Sequence, residues 1–194
     1  MKALRSAEAV VEVLGRSGFL LRQDRHLPSV VTLLAGEGLS GSWWSHPQAR
    51  RMFRVMEALT AHPDVLLTKL LFGKDTFVHR CLWPQLLGLV RTPRPWQVAG
   101  LSAQSRALLA RTGRSRSGVQ ACGPAVKPLL QRLLVHASEV HTASGRHAMV
   151  LIPWSRWGRS AAVPAGVSHV SARGEFERRA RALGAPVGAL PWER

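Results

Sequence analysis

The sequence predicts an α+β fold, mainly helical, with two β-hairpins. Apolar residues recur at helical spacing in stretches that open at Ser or Pro. Two pairs of β-favouring runs flank Gly-containing turns, 64–71 with 76–80 and 134–141 with 147–152. A helix precedes each hairpin, over 47–80 and again over 124–152, so the order of elements recurs without a residue-level repeat.

Each element has its own reason. Residues 5–36 read as two helices: Ala9, Val10, Val13 and Leu14 stripe the first, and Pro28 opens the second, which closes near Gly36. A Gly/Ser loop at 37–46 carries the pair Trp43 and Trp44. Pro47 suits the first turn of a helix to Ala61, with Met52, Phe53, Met56, Leu59 and Thr60 on one face and Arg50, Arg51, Arg54 and Glu57 elsewhere. His62-Pro63 stops it, and the first hairpin follows, turning at 72–75. A helix covers 82–90. The two prolines at 93 and 95 mark residues 92–100 as a linker. Ser102 caps a helix to Arg111 with Leu108 and Leu109 inward. Residues 112–123 read as loop, 124–132 as a short helix, 142–146 as the second hairpin's turn, 174–183 as a short amphipathic helix and 186–194 as a loosely ordered tail. The expected domains are 1–91, 101–160 and a C-terminal helix and tail at 161–194.

Charge narrows the function. Between Thr76 and Gly174 stand thirteen Lys or Arg and one acid, Glu139, a net +12 out of +16 for the 194-residue chain. Arginine outnumbers lysine 23 to four, which GC-rich coding alone can produce; the missing acids it does not explain. A concentrated basic surface calls for a polyanion, and nucleic acid is the commonest. Hydrophobic residues at 46% supply a core. Two widely spaced cysteines suggest no disulfide framework, and no run is long enough for a membrane span, so a cytoplasmic, nucleoid-associated protein without membrane partners is expected.

Helix 102–111, loop, helix 124–132 and hairpin 134–152 follow the order of a winged helix, in which a helix enters the major groove and the hairpin touches the backbone. The nucleic-acid-binding residues expected on that frame are Arg106, Arg111, Arg114, Arg116, Lys127, Arg132, Arg146, His147, Arg156 and Arg159. Arginine suits them because its planar fork takes phosphate or a guanine edge bidentately. The stretches 101–111 and 133–147 resemble bacterial winged-helix DNA-binding proteins, a broad group that includes the crosslink-unhooking DNA glycosylases. The resemblance implies tandem winged helices and a DNA partner. It does not extend to catalysis: Gln23, Gln48, Gln85, Gln97, Gln104, Gln120 and Gln131 form no Gln-x-Gln or Gln-x-Asp motif.

The remaining motifs carry two readings each. Trp43 and Trp44 read as a plug over the N-terminal core, with base stacking as the alternative. Trp154 and Trp157, beside Arg156 and Arg159, read as a nucleic-acid contact. His79 reads as a strand-end histidine bonded locally. His136, Glu139, His141 and His147 lack zinc-site spacing, and Asp64 with Asp75, flanking the first hairpin, is a weak two-carboxylate site. The expectation is a duplex-DNA-binding protein with no cofactor, no metal and no catalysis of its own. The alternatives are a repair enzyme with a different residue set, and a module that binds RNA or an acidic protein.

Overall fold

The computed structural model describes residues 3–39, 41–141, 147–164 and 166–193, with the backbone alone at 139–141 and 147–148. It is an α+β fold, 52% helical, with two three-stranded antiparallel sheets.

The first half runs α1 (Ala7–Ser17), β1 (Phe19–Leu21), α2 (Val30–Ala35), α3 (Ala49–Ala61), β2 (Val65–Lys69) and β3 (Asp75–His79). Ser6 and Ser29 cap α1 and α2 by accepting from the amides of Ala9 and Thr32. Residues 19–21, expected to be helical or connecting, instead form an edge strand on β3, paired Phe19 to Val78. The hairpin register runs from Val65–His79 to Lys69–Asp75. Its turn holds Phe72 and Gly73 at φ 54° and 65°, and a Cβ on Gly73 would lie 2.8 Å from Nε2 of Gln131, so glycine is favoured there.

Next come α4 (Trp83–Val90), α5 (Pro95–Val98), α6 (Ala103–Arg114), β4 (Val119–Ala121), α7 (Val126–Gln131), β5 (His136–His141) and β6 (His147–Ile152). Ser102 caps α6 as expected, accepting from the Ser105 amide at 3.1 Å. The expected 112–123 loop contains the end of α6 and the strand β4. The two sheets have one strand order, β1-β3-β2 and β4-β6-β5, in which the first strand pairs with the hairpin's second.

The expected linker is structured. Gln97, fully buried on α5, donates to the carbonyls of Arg132 and Leu133 at 2.8 and 3.2 Å and accepts from the Arg94 amide at 2.9 Å. The connection is thus pinned to the end of α7.

Three cores result. One lies between α1–α3 and one face of the first sheet, around Leu14, Leu20, Met52, Leu59 and Phe77. A second covers that sheet's other face with α4, α8 (Trp154–Ser160), α9 (His169–Ala182) and the chain end. The third is smaller: eight residues, including Leu108, Val119, Leu129 and Leu151, inside the second module.

Two expectations are corrected here. The 186–194 tail is not loose: the Phe72 amide donates to the Ala189 carbonyl at 2.7 Å, and Leu190 and Trp192 are buried against α9, where Phe176 stacks on Phe19. The helix expected from 174 begins at His169, capped by Ser168. Among the described residues no helix is long and apolar enough to cross a membrane.

Candidate nucleic-acid interface

Helix α6 buries Ser105, Leu108 and Thr112, which recur at helical spacing. That stripe turns Arg106, Arg111 and Arg114 outward, and all three are exposed. Arg111 and Arg114 lie in the last turn, where cations favour the helix C-terminus. The loop that follows is held from within. Ser115 Oγ donates to the Gly118 carbonyl at 2.7 Å, and Arg156 donates to the Ser115 carbonyl. Gly118, at φ 94°, permits the close passage: a Cβ there would lie 2.6 Å from Val150. Arg116 projects from this fixed loop and is exposed.

The other expected residues divide. Helix α7 is only six residues long, with Val126 and Leu129 buried; its one cation, Lys127, is exposed. Arg132 turns back to the carbonyls of Gln97 and Ala99 and holds the linker. Arg156 is half-buried in the clamp on Ser115. Arg159 is exposed and, with Arg91, Arg94, Ser155 and His169, lines a cavity of about 330 Å³. Burial, aided by Arg94 and Arg173, pushes the His169 imidazole below its ordinary value. Arg146 lies outside the described residues, as does the side chain of His147, whose backbone pairs with His141.

Ion pairing separates the chain into regions. Asp75 holds Lys69 at 2.7 Å and Arg22 at 3.7 Å, Asp24 holds Lys74 at 2.8 Å, and Asp64 holds Arg80 at 2.8 Å. Glu12 pairs with Arg16, and Glu175 and Glu177 pair with Arg173, Arg178 and Arg179 on α9. Among the described residues, no Lys or Arg from Arg91 to Arg159 joins an ion pair. The exposed set Arg106, Arg111, Arg114, Arg116, Lys127 and Arg159 therefore keeps its full charge toward solvent.

Several sequence readings change. Trp154 and Trp157 are buried, not presented to a ligand: their shared face on α8 packs edge-on against Trp83 and beside His136. Asp64 and Asp75 sit at opposite ends of the β2–β3 ladder, each ion-paired, and make no joint site. His79 does bond locally, its Nδ1 accepting from the Cys81 amide at 3.3 Å; burial lowers its pKa. His136 is buried, and burial pushes its imidazole down to about 4. Among the described residues no three His, Cys, Asp or Glu stand together as a metal site.

Sequence reasoning passed over one surface. Phe53 does not share the buried face of α3; it is 42% exposed, beside exposed Arg50 and Arg54. The spacing i, i+3, i+4 of Arg50, Phe53 and Arg54 was the available signal. No protein-family model, curated protein or solved structure matches the chain.

Proposed function

We propose that this chain binds duplex DNA through arginines on tandem winged-helix modules, without catalysis of its own. One observation carries the reading: the exposed cations of α6, its following loop, α7 and α8 have no acidic partner, whereas the cations of the first hairpin and Arg173, Arg178 and Arg179 of α9 do. Such a surface attracts a polyanion and gains by releasing its counterions.

The shared strand order supports the modular part. Over 7–79 the order helix, strand, helix, helix, hairpin, with the first strand on the hairpin's second, agrees with that of a winged helix. The second module repeats the sheet with the single helix α7 between its first strand and the hairpin. On this reading Arg106, Arg111, Arg114 and Arg116 lie along the backbone and Lys127 reaches the same strand from α7; the expected wing tip at 142–146 lies outside the described residues. Arg132 and Arg156 act as positioning residues. The aspartates give little support to a metal-dependent nuclease: Asp24, Asp64 and Asp75 are each held by a cation.

Salt dependence tests it. Six neutralised phosphates give a log–log slope of about −5 for a duplex. Electrophoretic titrations over a range of salt should find that slope, and a flat response would remove the proposal. Replacing Arg114 and Arg116 together with Ala should weaken all duplex sequences about equally, because phosphate contacts carry no base information.

A further inference from the structure

The turn at 42–46 delivers two tryptophans to different places. Trp43 is 4% exposed and closes the core of the first three helices. Trp44 stacks on it, ring centroids 4.1 Å apart and 26° from parallel, yet remains 59% exposed. One face of Trp44 is therefore backed by a buried ring. Phe53 stands beside it at 5.5 Å. The turn is fixed by Ser42 Oγ, which accepts from the Trp44 amide, and by His46 Nδ1, which accepts from the Gln48 amide.

Cations flank this aromatic shelf. Arg50, Phe53 and Arg54 share one face of α3, all exposed. Beyond them a groove of about 430 Å³ is lined by Arg5, Pro47, Gln48, Arg50, Arg51 and Arg54. Arg51 is bound to the carbonyls of Leu4 and Leu34, which keeps its charge in the groove wall. Among the described residues Arg5, Arg50 and Arg54 join no ion pair.

We propose that Trp44 and Phe53 form a stacking platform for an unpaired base, and that Arg50 and Arg54 hold the phosphates of the strand that carries it. The chemistry favours this occupant. An open aromatic face beside a cationic groove is how single strands are bound without base preference. A second copy of the chain would bring the same unpaired arginines face to face, at an electrostatic cost. The proposal rests on the nucleic-acid reading above and adds a second ligand form, an unpaired strand, at the opposite module from the arginines of α6.

Binding of a short oligothymidylate and of a matched duplex separates the two. The full chain should bind oligothymidylate with quenching of tryptophan fluorescence. Trp44→Ala and Phe53→Ala should each weaken that binding by about tenfold and leave duplex affinity unchanged within about twofold, since stacking acts on unpaired bases alone. Trp44→Phe should restore most of the loss. Arg50→Ala with Arg54→Ala should lower the salt slope for the single strand by about 1.4. Both side chains are exposed, and an unchanged thermal midpoint confirms folding. Unaltered oligothymidylate binding by Trp44→Ala overturns the platform while the duplex reading stands. So does an equal loss on duplex, or displacement of the oligonucleotide by oligoglutamate with the same dependence on Trp44. Failure of the wild-type chain to bind any DNA at low salt would instead overturn the reading on which the platform rests.

Discussion

Around the first hairpin, Asp75, Asp24 and Asp64 set three negative charges against the four cations Lys69, Lys74, Arg22 and Arg80, Asp75 serving both Lys69 and Arg22. The second sheet is built in the same strand order, and none of the described cations around it, from Arg106 to Arg159, has an acid to pair with. Strand order places side chains, but the few acids decide where their field ends. An exposed ion pair adds little stability, ~0–1 kcal/mol, yet it cancels the charge that a distant polyanion would feel. The two modules thus share a frame and differ in what they offer to solvent. The exceptions on the first module, among the described residues, include Arg5, Arg25 and, on α3, Arg50 and Arg54, which join no ion pair.

The largest effect should come from erasing that difference. Arg106, Arg111, Arg114 and Arg116 replaced together by Gln should cut duplex affinity about a thousandfold at ~0.1 M salt and reduce the slope by about 3.6. The matching change on the first module removes both members of each pair, Lys69, Lys74 and Arg80 to Gln with Asp75, Asp24 and Asp64 to Asn, and should alter affinity by no more than about twofold, because the net charge is unchanged. Fluorescence anisotropy across a salt series measures both. Equal losses would show that the ion pairs open on binding and that the contrast does not govern recognition.

Much of this contrast could be read from the chain. The scarcity of acids between Asp75 and Glu175, broken only by Glu139, pointed to the exposed arginines, and the Gly-containing turns pointed to both hairpins. Ser102 was legible because a cap is local: its hydroxyl meets an amide three residues on. The strands 19–21 and 119–121 were not. Three residues are too few to alternate, and they are strands only because Val78 and Leu151 lie beside them. Arg132 and Arg156 looked like their exposed neighbours because their partners are backbone carbonyls of Gln97, Ala99 and Ser115, which no residue type announces. Trp154 and Trp157 misled for a similar reason. The arginines beside them were visible, but Trp83, which covers Trp157, comes from a remote helix.

The cores differ as the charges do, and this gives the next effect. The second module has eight buried residues of its own, against the two larger clusters on either side of the first sheet. Leu129, fully buried, is central to the small core. Leu129→Ala should cost about 3 kcal/mol through lost burial and the cavity left behind. Native-state hydrogen exchange should then show β4, β5 and β6 losing protection while β1 and β3 keep theirs. Simultaneous loss in both sheets would show that Gln97 and the α7 contact with the first hairpin join the modules into one cooperative unit.

The smallest effect concerns one position where the sheets diverge. Each hairpin's first strand begins with a buried residue: Val65 in the first, 7% exposed, and His136 in the second, 8% exposed. Trp154 and Trp157 lie against the His136 ring, Nε2 meets the Ser138 hydroxyl at 3.3 Å, and Nδ1 has no hydrogen-bond partner. A cation there would be unsolvated, so burial pushes the imidazole down to about 4. In the unfolded chain the same group titrates near ~6.5. As pH falls through that interval the unfolded chain takes up a proton that the native chain refuses. The contribution is therefore complete above the unfolded value and lost on acidification, about 2 kcal/mol between ~pH 7 and ~pH 5. His136→Val gives the second strand the residue of the first and should remove this part of the pH dependence. Urea unfolding of both proteins at the two pH values checks it, because every other group titrates alike and cancels. Parallel pH dependence in the two proteins would mean that the native imidazole accepts a proton as readily as the unfolded one. Water in the cleft of about 480 Å³ that His136 lines with Leu66, Leu67 and Ala137 would then solvate the protonated ring.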